Sequence, residues 1–414
     1  MLVSAAGLLA AGLLSACGTL TTDFVFVTSA KAAGTNSYGE IDIFEINSDS
    51  GKMRQIPASP VPSGGRNPVA ETVSADYSNL FVVNRDDNTL VQFVIGSDGK
   101  LYPTSTINTP GIYPIALTMN SSYLFVADTY QPLATCSSVA PCSGSVSVLP
   151  VTAASGSTAM SLGTAITNAG NGKQYWPLNL TTSGQSSHVI TPTAVTVSGS
   201  YVFVSAYDAT PSTTVGYIFA YSVLSSGVST SPAGTTCAAL PSGTTTYPAG
   251  TLCPVTGSPF VAGVKPSSLS VDGSGKYLYA ADATGNSVLG FSISNGILTA
   301  VSGSPWAAGN APSSIVVDPA YNYLYVANGT DSNVTGYSIS NGQLTRVATY
   351  ATGSNPVAIG IDPSKHHFLY TANFLSSNVS GWKMDTTDGT LLVSQGSPFT
   401  SNANPTAVAA VPHK

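Results

Sequence analysis

Short runs of Val, Ile, Leu, Tyr and Phe alternate with small or polar residues along most of the chain, separated by turns rich in Gly, Asn, Asp and Ser. Alternation over four to eight residues between turn signals marks β-strands. The runs also recur at long range. Three segments, Pro266–Asp272, Pro312–Asp318 and Pro356–Asp362, share one apolar pattern. Each is followed by a second run (Tyr277–Asp282, Tyr323–Asn328, Phe368–Asn373) and a third (Val288–Ile293, Val334–Ile339, Val379–Met384). A fourth is led by glycine, as in Gly296–Val301. The repeating unit is four short strands.

Weaker copies begin at Pro68, Pro114 and Pro192, with second runs at Leu80–Asn84, Leu124–Asp128 and Val202–Ala206. The last begins at Pro405, where Thr406–Val411 supplies a single strand. Successive starts lie 46, 78, 74, 46, 44 and 49 residues apart, so the second and third units carry large insertions. A second marker agrees: Ser59-Pro60, Ser258-Pro259, Ser304-Pro305 and Ser397-Pro398 each stand seven or eight residues before the next start. Four antiparallel strands in about 45 residues make one propeller blade.

The single strand at the C-terminus needs partners, and the N-terminal segment offers them. Phe24–Thr28 fits the second-strand pattern, Ile41–Ile46 the third and Lys52–Ile56 the fourth. One C-terminal and three N-terminal strands then complete a seventh blade, covering terminal faces that an open array would leave exposed. The expected fold is all-β: one seven-bladed β-propeller of four-stranded antiparallel blades over residues 24–412. Insertions are expected near residues 129–143, 151–191 and 224–252.

The run Tyr323-Leu-Tyr-Val-Ala-Asn328, the Asp318-Pro319 turn before it and the Gly336-Tyr-Ser-Ile339 third strand resemble the repeats of the seven-bladed lactonase-type propellers, also called YVTN-repeat proteins. That family includes sugar-lactone hydrolases similar to 6-phosphogluconolactonase, alongside surface proteins without an assigned reaction. Its enzymes place His, Arg and Glu on inner strands and top loops near the repeat starts. The starts here read Asn67-Pro-Val-Ala-Glu71, Tyr113-Pro-Ile-Ala-Leu117, Thr191-Pro-Thr-Ala-Val195 and Lys265-Pro-Ser-Ser-Leu269, without the family's histidine. The resemblance implies the fold and carries over no catalytic residue.

Composition narrows the function classes. Of 414 residues 43% are hydrophobic and only 8% charged, with 13 Lys and Arg against 19 Asp and Glu. A net charge of −6 disfavours a nucleic-acid partner, because phosphate backbones are bound through basic surfaces. Residues Leu2–Leu14 form an uncharged run too short to span a bilayer, followed by Leu14-Ser15-Ala16-Cys17, which resembles a bacterial lipobox. This implies a signal peptide over residues 1–16, lipidation of Cys17, a tether over residues 17–23 and a membrane partner through the lipid. The body is then expected to be exported and anchored to the bacterial cell envelope.

Export favours disulfides. Four further cysteines allow three pairings, and Cys136 with Cys142 and Cys237 with Cys253 would each close a short loop within an insertion. No C-x-x-C spacing or nearby histidine suggests a metal, and no motif implies a cofactor.

In a propeller, the loops that enter first strands and those that join second to third strands open on one face around the channel. That rule places Arg66, Tyr113 and Lys265 on this face, Glu71 inside the mouth, and Arg85, Asp86, His188 and Asp208 around it. Convergent polar groups at a channel mouth form the default ligand site. The leading expectation is a recognition or scaffold module for a carbohydrate, lactone or protein ligand. The alternative is a lactone hydrolase with His188 or Glu71 as base and Arg66, Arg85 or Lys265 holding the anionic product. A third reading is a structural surface protein. Tyr113, Tyr130, Tyr175, Trp176 and Tyr207 fall in or near loops and insertions, where packing competes with stacking on a sugar or contact with a protein. His366, His367 and His413 are expected away from the mouth.

Overall fold

The computed structural model describes residues 21–33, 37–136, 139–155, 158–180, 187–210, 215–364 and 367–413. Among them are seven separate antiparallel sheets and no helix. Blades 1 to 6 start with the strands Pro68–Val73, Ile112–Met119, Ile190–Ser198, Pro266–Val271, Pro312–Val317 and Pro356–Ile361. Blade 7 starts with Pro405–Pro412 and takes its other strands from Thr21–Ala33, Tyr38–Asn47 and Met53–Gln55. Phe24 lies opposite Val411 and Val27 opposite Val408 in the closing pair. The seven first strands contact one another in succession around a closed circle. The expected seven-bladed ring is the observed one; the expected signal peptide, residues 1–16, and Cys17 lie outside the described residues.

Second strands are the most deeply buried. Asn79–Asn84 and Phe368–Asn373 are buried at every position. Each has a strand on both edges and a neighbouring blade on both faces, so both side-chain directions meet protein. The apolar clusters accordingly bridge blades. Phe26, Ile41 and Ile43 of blade 7 pack with Leu80, Val82, Val91 and Phe93 of blade 1. Each such side chain contributes about 1.5–3 kcal/mol through removal from water.

The tyrosine motif has a local cause. In blade 4, Tyr277 and Tyr279 are two residues apart and share one face of the strand. Tyr279 donates its hydroxyl to the carbonyl of Gly342 in the turn of blade 5, at 3.0 Å, while the Tyr277 ring covers the same glycine. Gly342 has φ +81°, and a Cβ there would lie 2.3 Å from that ring, so only glycine fits. Tyr323, Tyr325 and Gly389 repeat the arrangement one blade further on.

The Ser-Pro marker also has a structural role. Ser59, Ser258, Ser304 and Ser397 each accept a hydrogen bond through Oγ from a third-strand N–H: Ile43, Ala220, Gly290 and Gly381, at 2.8–3.0 Å. In these blades the fourth strand is split into two short pieces around the Ser-Pro turn. Blades 1 and 5 lack the marker and have continuous fourth strands, Leu101–Asn108 and Gln343–Ala351.

Both cysteine pairs form the local disulfides, Cys136–Cys142 and Cys237–Cys253. The first lies in the second-to-third connection of blade 2, on the face of the mouth. The loops that follow Thr152 and Val223 leave from the third strands and therefore emerge on the other face.

Candidate functional site

In five of the seven repeats the residue before the start proline is aimed by backbone geometry. Asn67, Tyr113, Ala311, Asn355 and Asn404 all have positive φ, between 50° and 58°. Such values are costly for residues with side chains and persist only where the surroundings impose them. At Tyr113 the constraint comes from Asn88, whose Oδ1 accepts the Tyr113 N–H at 2.6 Å. Thr129 then donates its hydroxyl to the Tyr113 carbonyl at 2.8 Å. The Tyr113 and Tyr130 rings lie 6.0 Å apart.

A cavity of about 580 Å³ opens here, across the starts of blades 2, 3 and 4. Arg85 stands at one end and Lys265 at the other, with Tyr130, Thr193, Tyr207 and Ser267 between them. Each cation lies over a tyrosine: Arg85 is 5.4 Å from the Tyr113 centroid, and the Lys265 ammonium 4.7 Å from that of Tyr207. Ring faces attract cations without neutralising them. Among the described residues neither Arg85 nor Lys265 has a carboxylate partner. The cavity therefore carries uncompensated positive charge in an otherwise acidic chain.

Lys265 is held from behind by Asp282, which ends the second strand of blade 4. That carboxylate accepts the N–H groups of Val264 and Lys265 at 2.9 Å and of Gly285 at 3.0 Å. Asp282 was not among the sequence candidates. The signal that could have found it is the acid or amide that recurs at the ends of second strands, in Asn84, Asp128, Asp208, Asp282, Asn328 and Asn373.

The remaining candidates divide. Arg66 does not join the cavity: its guanidinium pairs with Asp87 at 2.6 Å and its N–H bonds the same carboxylate at 2.7 Å, which raises the Arg66 pKa. Asp86 accepts from the Asn67 side chain at 3.3 Å. His188 places Nδ1 against Asp208, whose other oxygen accepts the Thr210 N–H at 2.9 Å. The Asp208 side chain is buried and that of His188 is 19% exposed. Both flank the cavity beside Tyr207 and Ala209 and do not form its wall.

Glu71 also stands apart from the cavity. First-strand side chains alternate between the two flanking blades, and Glu71 falls on the blade 7 side, where Thr28 donates a hydrogen bond to Oε2. The residue as a whole is half-buried, but Oε1 is sealed from solvent and has no hydrogen-bond partner among the described residues. Burial without a cation pushes its pKa up to about 8. A carboxyl group protonated at neutral pH is a poor general base there. His367 and His413 lie elsewhere, His367 beside Asp318 at 3.2 Å and His413 against Phe24; His366 is outside the described residues. No cluster of three or more His, Cys, Asp or Glu residues suited to a metal occurs among the described residues.

Residues 245–361, which include Lys265 and Asp282, match the family model of the seven-bladed β-propeller lactonases. A comparison with curated proteins gave no match. Among solved structures, a candidate 6-phosphogluconolactonase of Bacteroides fragilis superposes with a TM-score of 0.67 at 19% identity, covering 95% of this chain and 99% of its own. The periplasmic gluconolactonase of Pseudomonas aeruginosa gives 0.65 at 17% identity, over 94% and 99%. The matched repeats tie residues 245–361 to the lactonase propellers, and the solved structures share the seven-bladed architecture of the chain as a whole.

Proposed function

We propose that the channel mouth binds a small anionic sugar acid or sugar lactone and that the chain hydrolyses such a lactone. The observation carrying this reading is the pair of uncompensated cations, Arg85 and Lys265, facing one cavity over tyrosine rings. An anion between them gains charge-assisted hydrogen bonds, while the rings offer apolar faces to a sugar. The similarity to lactonase-type repeats supports the reaction class.

In lactone hydrolysis, water adds to the ring carbonyl, the ring C–O bond breaks, and an acid and a free hydroxyl result. The arrangement offers His188 as the base that takes the water proton, with Asp208 fixing its Nδ1 and stabilising the imidazolium. Arg85 and Lys265 would hold the carboxylate or phosphate of the substrate and orient it. A second reading, recognition without turnover, is favoured by one observation: His188 flanks the cavity and is not part of its wall.

The Leu-Ser-Ala-Cys17 sequence and the two disulfides support an exported, lipid-anchored location for this activity. The test is a panel of anionic and neutral sugar lactones assayed with the intact domain, with His188→Gln and Lys265→Ala. Hydrolysis of an anionic lactone lost in both variants supports the enzyme. Binding of the acid without turnover, lost only in Lys265→Ala, supports recognition. No binding and no turnover would exclude both.

A further inference from the structure

The insertions of blades 2 and 3 enclose a second cavity, of about 670 Å³, away from the mouth. Its floor is apolar and aromatic, formed by Trp176, Phe219, Tyr221 and Leu252. Its rim carries Asn171, Asn179 and Thr256. None of the lining residues is charged. The volume and mixture match those of small-molecule pockets, which are mainly apolar with a few placed polar groups.

The walls are built rather than incidental. One insertion is pinned by the Cys237–Cys253 disulfide, by the Thr236 N–H to the Pro254 carbonyl at 2.9 Å, and by the Tyr247 hydroxyl to the Ala238 carbonyl at 2.7 Å. The other is pinned by the Asn168 N–H to the Lys173 carbonyl at 2.7 Å. The two insertions meet where Gly170 passes Ala238 so closely that a Cβ on Gly170 would lie 2.6 Å from the Ala238 methyl. Disulfide, turns and contact together hold the cavity open at a fixed width.

Two polar groups inside it lack partners. Tyr221 is 4% exposed and Trp176 5% exposed, and neither the Tyr221 hydroxyl nor the Trp176 indole N–H has a hydrogen-bond partner among the described residues, although neither atom is sealed from solvent. Both residues line the cavity, so a molecule seated there can supply the bond that the protein does not. Both can donate, so the occupant must accept.

We propose that this cleft is a binding site for an uncharged, ring-bearing small molecule with a hydroxyl or ether oxygen, seated on the aromatic floor and accepting from Tyr221 and Trp176. The absence of charge in the lining sets it apart from the cationic mouth. The site is independent of whether the mouth is catalytic.

The probe is 2-naphthol, titrated into the full chain at neutral pH by calorimetry, with 2-naphthoate as its charged counterpart. Expected are saturable one-to-one binding of 2-naphthol and at least tenfold weaker binding of 2-naphthoate. Tyr221→Phe should weaken 2-naphthol three- to tenfold, and Thr256→Trp, at the exposed rim, should abolish binding. Lys265→Ala should leave it unchanged. Thermal unfolding checks that each variant is folded, and Ala238→Trp replaces Thr256→Trp if that variant is not. No saturable binding, equal affinity for 2-naphthoate, or full affinity in both Tyr221→Phe and the rim variant would overturn the proposal.

Discussion

Thr406 donates its hydroxyl to the carbonyl of Pro68 at 2.9 Å, joining the first strands of blade 7 and blade 1 across 338 positions of sequence. The same hydroxyl lies 3.1 Å from the carbonyl of Thr28. Equivalent bridges recur at Ser267 to Pro312 and Ser313 to Pro356, at 2.7 and 2.6 Å. The seam where the chain ends meet is thus fastened like the internal junctions. Replacing Thr406 by Val keeps the shape and removes the donor. The expected cost is about 1–2 kcal/mol, read as a lower midpoint in urea with an unchanged slope.

Glu71 makes stability fall as pH rises. Its folded pKa of about 8 lies above the unfolded value of about 4.3, so between those values the native state binds the extra proton. The contribution is favourable near pH 5 and is lost progressively toward pH 8. Asp128, pushed up to about 7 by burial, acts in the same sense. Thermal midpoints measured at pH 5, 6.5 and 8 should decline, and Glu71→Gln should flatten the decline. A midpoint that rises with pH in the wild type would contradict this assignment.

The Cys237–Cys253 disulfide closes a loop of 16 residues. Removing such a crosslink releases about 3 kcal/mol of unfolded-state entropy in the chain-entropy model. The Cys237→Ser, Cys253→Ser double variant should unfold at a lower temperature than the wild type. The Cys136→Ser, Cys142→Ser double variant should lose less, because its loop spans only 6 residues. Calorimetric scans of the two variants give the comparison.

The fold was legible because its causes are local and repeated. The start prolines, the Tyr-Leu-Tyr runs and the Ser-Pro turns each correspond to a contact that recurs between adjacent strands or blades. The site was only partly legible. Loop order placed Arg85 and Lys265 on the same face, but nothing in the sequence distinguished Arg85, which lies on a ring, from Arg66, which Asp87 neutralises. Glu71 was misplaced because strand alternation has two phases, and the one that turns it toward Thr28 depends on the neighbouring blade. The cavity between the insertions was hidden for another reason: Gly170 and Ala238 meet through loops with no periodic pattern.

The cationic mouth also predicts salt dependence. Arg85 and Lys265 are exposed, so added salt should weaken an anionic ligand while leaving a neutral sugar lactone unaffected. Affinities measured at low and high ionic strength should separate the two ligands.

The central claim is tested most directly by calorimetric titration of 6-phosphogluconate into the wild type and the Arg85→Ala, Lys265→Met double variant. The account predicts one site in the wild type, with affinity reduced at least tenfold in the folded double variant. Equal affinity in the two proteins, or no binding to the wild type, would contradict it.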